Sequence, residues 1–110
     1  MSWVTDVLLL FSLGEVYDDE GQEIGEVIPL SNINAWLEQH GWRNLDNLDG
    51  YVNTGKSMQS RVYGGAFNFL RIDELIEVVK AQAWREPHNV QLLFKNEEDE
   101  KFTLYEIISA

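Results

Sequence analysis

Hydrophobic residues along this chain follow two different periods, and the change between them is sharpest from Arg61 to Trp84, RVYGGAFNFLRIDELIEVVKAQAW. Tyr63, Phe67 and Phe69 fall on one side of an extended chain and Val62 and Ala66 on the other, the period-two pattern of a strand. From Ile72 the spacing becomes helical, with Ile72, Leu75, Ile76 and Val79 on one face. Asp73 is the residue type that caps such a helix, because its carboxylate accepts a free N–H of the first turn. A strand therefore feeds a helix almost without a loop, and the helix is expected to stop near Trp84, before Pro87. Gly64 and Gly65 within the strand predict a bulge or the close approach of a neighbouring group.

The same reading extends to the rest of the chain. Val7 to Phe11 is a continuous apolar run, expected to form a central strand covered on both sides and ended by Gly14. A long acidic connection follows, with a small hairpin turning near Glu20 and Gly21. SNINAWLEQHGW predicts a first helix capped by Ser31 or Asn32. Ile33, Trp36, Leu37 and His40 share one side of it, and Gly41 suits the left-handed position after its end. Tyr51 and Val52 suggest a short strand, and Asn53 to Ser60 a loop. Val90, Leu92 and Phe94 alternate with Gln91 and Lys95, and KFTLYEI resumes the alternation through Phe102 and Leu104 after a polar turn, which predicts a terminal hairpin. Trp36 and Trp84 adjoin apolar helical faces and are better core candidates than Trp3 or Trp42.

In order, these elements give strand, helix, short strand, strand, helix, strand, strand. The first six match a βαββαβ split motif, the ferredoxin-like α+β plan, with two helices on one face of an antiparallel sheet and the last strand added at an edge. The strand at Val7 should lie between the strands at Tyr63 and Val90. If the weak strand at Tyr51 is omitted, a four-stranded α+β sheet remains. At 110 residues and 45% hydrophobic, the chain is long enough for one core, so residues 1–110 are read as a single domain.

Composition then narrows the chemistry. Nineteen acidic against eight basic residues leave a formal charge of -11, which opposes direct binding to nucleic acid and to anionic membranes and favours a basic protein partner. The sequence contains no cysteine, which removes disulfides, thiolate metal sites and a cysteine nucleophile. The N-terminal apolar run lacks a preceding Lys or Arg and contains Asp6, a poor match to a signal peptide, and no run approaches the roughly eighteen residues of a membrane span. A cytoplasmic location is the expectation.

Two acidic clusters are the candidate partner-binding surface: Glu15, Asp18, Asp19, Glu20 and Glu23 with the aromatic Tyr17, and Glu97, Glu98, Asp99 and Glu100 in the terminal hairpin. The first cluster lacks the alternating ligands, required glycine and closing Glu of a calcium loop. Gly50 to Ser57, GYVNTGKS, satisfies the letters of a phosphate loop. It lacks the buried strand before it and the helix after Lys56 that the mechanism requires. Asp73, Glu74 and Glu77 are accounted for by the dipole of the second helix. With two histidines, His40 and His88, no histidine metal cluster can form, and no metal or cofactor is expected.

The expected function is a noncatalytic protein-binding module, an inhibitor or immunity-type protein that masks a basic surface, with a carboxylate mimic of DNA as a special form. The alternatives are a homodimeric ferredoxin-like protein that holds a small molecule, and a small enzyme using His40, His88, Tyr63 or a carboxylate as acid or base. Catalysis is the least favoured, since no nucleophile with a base beside it is recognisable.

Overall fold

β1 (Val4–Ser12) is the strand on which the others assemble. The computed structural model describes residues 3–52, 55 and 58–108. After β1 come α1 (Ile28–Gln39), β2 (Asp46–Asn47), β3 (Ser60–Asn68), α2 (Ile72–Lys80), β4 (Gln91–Asn96) and β5 (Thr103–Glu106). The result is an α+β domain with five antiparallel strands in one open sheet, in the order β2-β3-β1-β4-β5, and two helices. β1 lies between β3 and β4, as its apolar run predicts; its register runs from Val4 opposite Asn68 to Ser12 opposite Ser60.

Alternation along β1 decides where the core lies. Thr5, Val7, Leu9 and Phe11 are buried, whereas Val4, Leu8 and Leu10 are half-buried and Asp6 is exposed. Ile33 and Leu37 of α1 and Leu75 and Val79 of α2 join Val7, Leu9, Phe11, Phe67 and Leu92 in one cluster. Both helices thus cover the same face, and among the described residues no layer covers the other. The expectation of a strand covered on both sides is corrected on this ground.

Helix boundaries depart from the sequence reading for local reasons. α1 begins at Ile28, a turn before Ser31, with Pro29 in its first turn, where a missing N–H breaks no helical bond. Ser31 and Asn32 are inside the helix, and the Ser31 hydroxyl donates to Glu26 at 2.9 Å. Gly41 takes the left-handed φ of 82° after the helix, as expected. α2 is preceded by Arg71, and no side chain caps it; Asp73 lies within the first turn, where its charge still meets the positive end of the dipole. The helix stops at Lys80, and the side chains of Gln82 and Trp84 donate to the Val78 and Val79 carbonyls of its last turn, each at 2.9 Å. Trp84 is buried against Phe11, with ring centroids 5.6 Å apart. Trp36 and Trp42 are both half-buried against the core, so Trp42 is more enclosed than its sequence setting suggests.

Three strand expectations also change. Phe69 lies beyond the end of β3, 62% exposed and at φ 55°, with its N–H donated to the Trp3 carbonyl; it is a turn residue and not a member of the Tyr63 face. The short strand is Asp46–Asn47, while Tyr51 sits in a 3-10 turn, Asp49–Tyr51. That turn is fixed by the buried Asp49 carboxylate, which accepts the Val62 N–H at 2.7 Å and the Arg61 guanidinium at 3.1 Å. Pairing continues without interruption through Gly64 and Gly65, so there is no bulge. A Cβ on Gly64 would stand 2.6 Å from the Val7 carbonyl oxygen, which makes close approach the reason for glycine there.

Of the phosphate-loop letters, Asn53, Thr54, Lys56 and Ser57 lie outside the described residues. Gly50 belongs to the 3-10 turn, and the segment leads at Ser60 into a strand. No helix among the described residues is long and apolar enough to cross a membrane.

Candidate functional site

The acidic connection after β1 is an ordered hairpin, and Glu15 is what fastens it. Ser12 caps a 3-10 turn, Leu13–Glu15, through the Gly14 N–H. That turn directs the Glu15 carboxylate inward, where it is 3% exposed and accepts the N–H groups of Arg85 at 3.0 Å and Glu86 at 2.7 Å. The Arg85 side chain returns a bond from Nε to the Gly14 carbonyl at 2.9 Å, and the Ser12 hydroxyl donates to Glu86. The expectation that Glu15 is a surface carboxylate is therefore corrected. Two backbone donors left free where the chain turns after α2 draw it inside.

Beyond this anchor the hairpin closes on itself. Tyr17 bridges Glu23, and Ile24 donates its N–H to the Val16 carbonyl at 2.7 Å. At the tip, Asp18 Oδ1 accepts the N–H groups of Glu20 and Gln22, each at 2.9 Å, and Gly21 adopts a φ of 80°. The turn falls at Glu20 and Gly21, as the sequence predicts. Asp19, Glu20, Glu23 and Glu26 are exposed, and among the described residues none of them forms a salt bridge.

Large apolar side chains stand exposed among these charges: Tyr17, Ile24 and Ile28. On one side of the hairpin Gly14, Tyr17, Asp19, Arg85 and Glu86 line a polar cleft of about 370 Å³. On the other, Ile24, Val27, Ile28, Pro29 and Ala83 form a small apolar cleft of about 130 Å³ rimmed by Glu26 and Arg85. Sequence reasoning missed this second cleft, because it joins residues 24–29 to Ala83 across the start of α1 and the end of α2.

The second acidic cluster lies elsewhere. Glu97 receives the Val4 N–H at 2.6 Å and donates its own N–H to the Val4 carbonyl, so the turn after β4 adjoins the first residue of β1. The hairpin follows the last. Nine residues of strand separate the two clusters, roughly 26 Å at about 3.3 Å per residue. Glu98 and Glu100 are exposed in that turn, while Asp99 Oδ2 accepts the Asn96 N–H at 3.1 Å. The two clusters expected to act as one surface are not brought together.

No protein-family model, curated protein or solved structure matches this chain. Its chemistry is therefore read from the arrangement of its own residues.

The candidate acids and bases are dispersed. His40 follows α1, its Nδ1 2.8 Å from the Trp36 carbonyl and its ring beside both Trp36 and Trp42, with centroids 4.7 and 5.8 Å away. Trp42 donates to the Asn68 carbonyl at the Val4 end of the sheet. His88 is at the opposite end, lining a polar cleft of about 360 Å³ with Ser12, Ser60, Asn89 and Gln91. No hydrogen bond joins His88 to either serine. Tyr63 stacks on Phe11, centroids 5.7 Å apart, against the core.

Proposed function

We propose that this protein is a noncatalytic binding module for a basic protein, of the inhibitor or immunity type, carried on a ferredoxin-like βαββαβ scaffold with β5 added at an edge. The order of elements and the sheet order β2-β3-β1-β4-β5 support that scaffold. The observation that carries the function is the fastened hairpin, on which uncompensated Asp19, Glu20, Glu23 and Glu26 surround exposed Tyr17, Ile24 and Ile28. Buried aromatic and aliphatic anchors supply most of an interface's affinity, while surrounding charge speeds encounter and selects partners. Because Glu15 and Asp18 hold the hairpin in place, little ordering is required on binding.

The partner surface should present Lys or Arg around one apolar side chain that enters the cleft at Ile24 and Pro29. The two histidines, held at opposite ends of the sheet, give no support to catalysis. Nor do the two acidic clusters form the regular stripe a DNA mimic needs; they sit in two turns about a strand's length apart.

The test is capture from the native cells at moderate salt with two baits, the wild type and a Glu20→Lys/Glu23→Lys variant. A basic protein retained by the first and released by the second supports the reading. Equal capture by both baits, or no basic protein with either, overturns it.

A further inference from the structure

The face of the sheet away from the helices carries a second apolar group that serves no core. Leu8 and Leu10 of β1, Val62 of β3 and Leu93 of β4 are half-buried, yet none is among the residues packed against the core cluster. Leu104 of β5 and Leu48, just past β2, extend the group and are 48% and 38% exposed. Register places Gly64, Leu8, Leu93 and Leu104 in one row across four strands. The space above Gly64 is taken by the side chains of Leu8 and Leu48, each about 3 Å from where a Cβ would stand.

The charged strand positions of this face are Asp6, Lys95, Glu106 and Asp46, in a chain whose net charge is -11. Asp6 and Lys95 lie opposite one another in the β1–β4 register, two residues from the apolar row. On the two edge strands, Asp46 stands in register with Gly64, and Glu106 with Gln91, Leu10 and Val62.

We infer that this face is the interface of a symmetric homodimer. One two-fold axis suits the pattern: parallel to β1 and midway between β1 and β4, the centre of the four long strands. That rotation exchanges β1 with the partner's β4 and β3 with its β5. Leu8 then meets a second copy of Leu93, Leu104 covers the row at Gly64, and Asp6 faces a second copy of Lys95, each contact occurring twice as an isologous interface requires. An acid beside a base is complementary to itself under this rotation. A second copy carrying the same -11 charge is repelled by the acidic hairpin, whereas this face offers it Lys95 opposite a second copy of Asp6. Four strands about 4.8 Å apart and about 13–30 Å long present roughly 440 Å² in projection. Side-chain relief raises this toward the roughly 800 Å² each partner contributes to a stable interface.

Sedimentation of the full chain at physiological salt is the first measurement. A species of twice 12.7 kDa is expected, and a monomer at the highest concentration reached overturns the inference. Leu104→Lys, at an exposed position that leaves folding intact by circular dichroism, should weaken association at least tenfold; an unchanged dimer places the interface elsewhere and also overturns it. The charge pair gives a sharper readout. Asp6→Lys and Lys95→Asp should each dissociate, while an equimolar mixture of the two should form a heterodimer, because each supplies the sign the other lacks. If the mixture remains as monomeric as its components, the Asp6–Lys95 contact across the axis is refuted. None of these substitutions touches the hairpin, so capture of a basic partner stands or fails separately.

Discussion

The two acidic turns read alike in the sequence and differ in the folded molecule by what their carboxylates do. In the hairpin after β1, the inward Glu15 and the tip residue Asp18 hold the backbone, and Asp19, Glu20, Glu23 and Glu26 are left for solvent beside Tyr17, Ile24 and Ile28. In the turn after β4, Glu97 and Asp99 are bonded to the N–H groups of Val4 and Asn96, and Glu98 and Glu100 are exposed. At roughly 26 Å, about three Debye lengths at physiological salt, the two clusters are screened from one another. Charge density alone thus does not mark a binding surface. A fixed frame with apolar anchors inside the charge distinguishes the hairpin.

Removing the frame should have the largest effect. Glu15→Ala leaves two partly buried N–H groups, of Arg85 and Glu86, without their acceptor. Each charge-assisted bond of this kind is worth about 1.5–3 kcal/mol, so a loss of about 3 kcal/mol in urea denaturation is expected, with Glu15→Gln intermediate. Partner binding should fall with it, because the hairpin is no longer held. A loss below about 1 kcal/mol would mean that the hairpin is positioned by its own bridge at Tyr17 and Glu23. Asp49→Ala is the matched control: it removes the acceptor for Val62 and Arg61 and should cost about as much stability while leaving the hairpin's affinity unchanged.

Next in size is the effect on binding of the exposed hairpin residues. Tyr17→Ala should weaken capture of the basic partner by about 1–2 kcal/mol, as truncation of an aromatic anchor does, with stability nearly unchanged. Isothermal titration of the two proteins measures the first and denaturation the second. Reversing Glu20 and Glu23 should slow association more than it speeds dissociation, with the difference shrinking as salt rises. A salt-independent rate would detach the acidic charge from recognition.

How much of this was legible depends on the range of the forces involved. β1 between its two neighbours, the terminal hairpin and the turn at Glu20 and Gly21 follow from local period and turn chemistry, and the structure keeps them. Helix ends were misplaced because distant or later residues set them: Trp84 takes the Val79 carbonyl, and Pro29 rather than Ser31 marks the start of α1. Glu15 reads as one more acid in an acidic run, and only the return of the chain at Arg85 and Glu86 gives it donors. Continuous hydrophobicity in Val7 to Phe11 predicted two covered faces. One of them meets the helices, and the other is the face inferred to meet a second copy. Sequence period marks a face as apolar without saying which molecule covers it.

The smallest effect is the one that isolates the comparison. Glu98→Lys with Glu100→Lys changes the net charge by as much as reversing Glu20 and Glu23, four units in each case. If recognition depended only on the total charge of the molecule, the two double variants would lose equal affinity. The structure separates them, since Glu98 and Glu100 are exposed and sit about a strand's length from Tyr17 and Ile24. Surface substitutions of this kind change stability by about 0.5 kcal/mol or less. Screening at that distance leaves a similarly small effect on binding at 0.15 M salt, growing as salt is lowered toward 0.01 M, where the Debye length reaches about 30 Å. Equal losses from the two variants at physiological salt would dissolve the distinction between the two turns and return recognition to net charge.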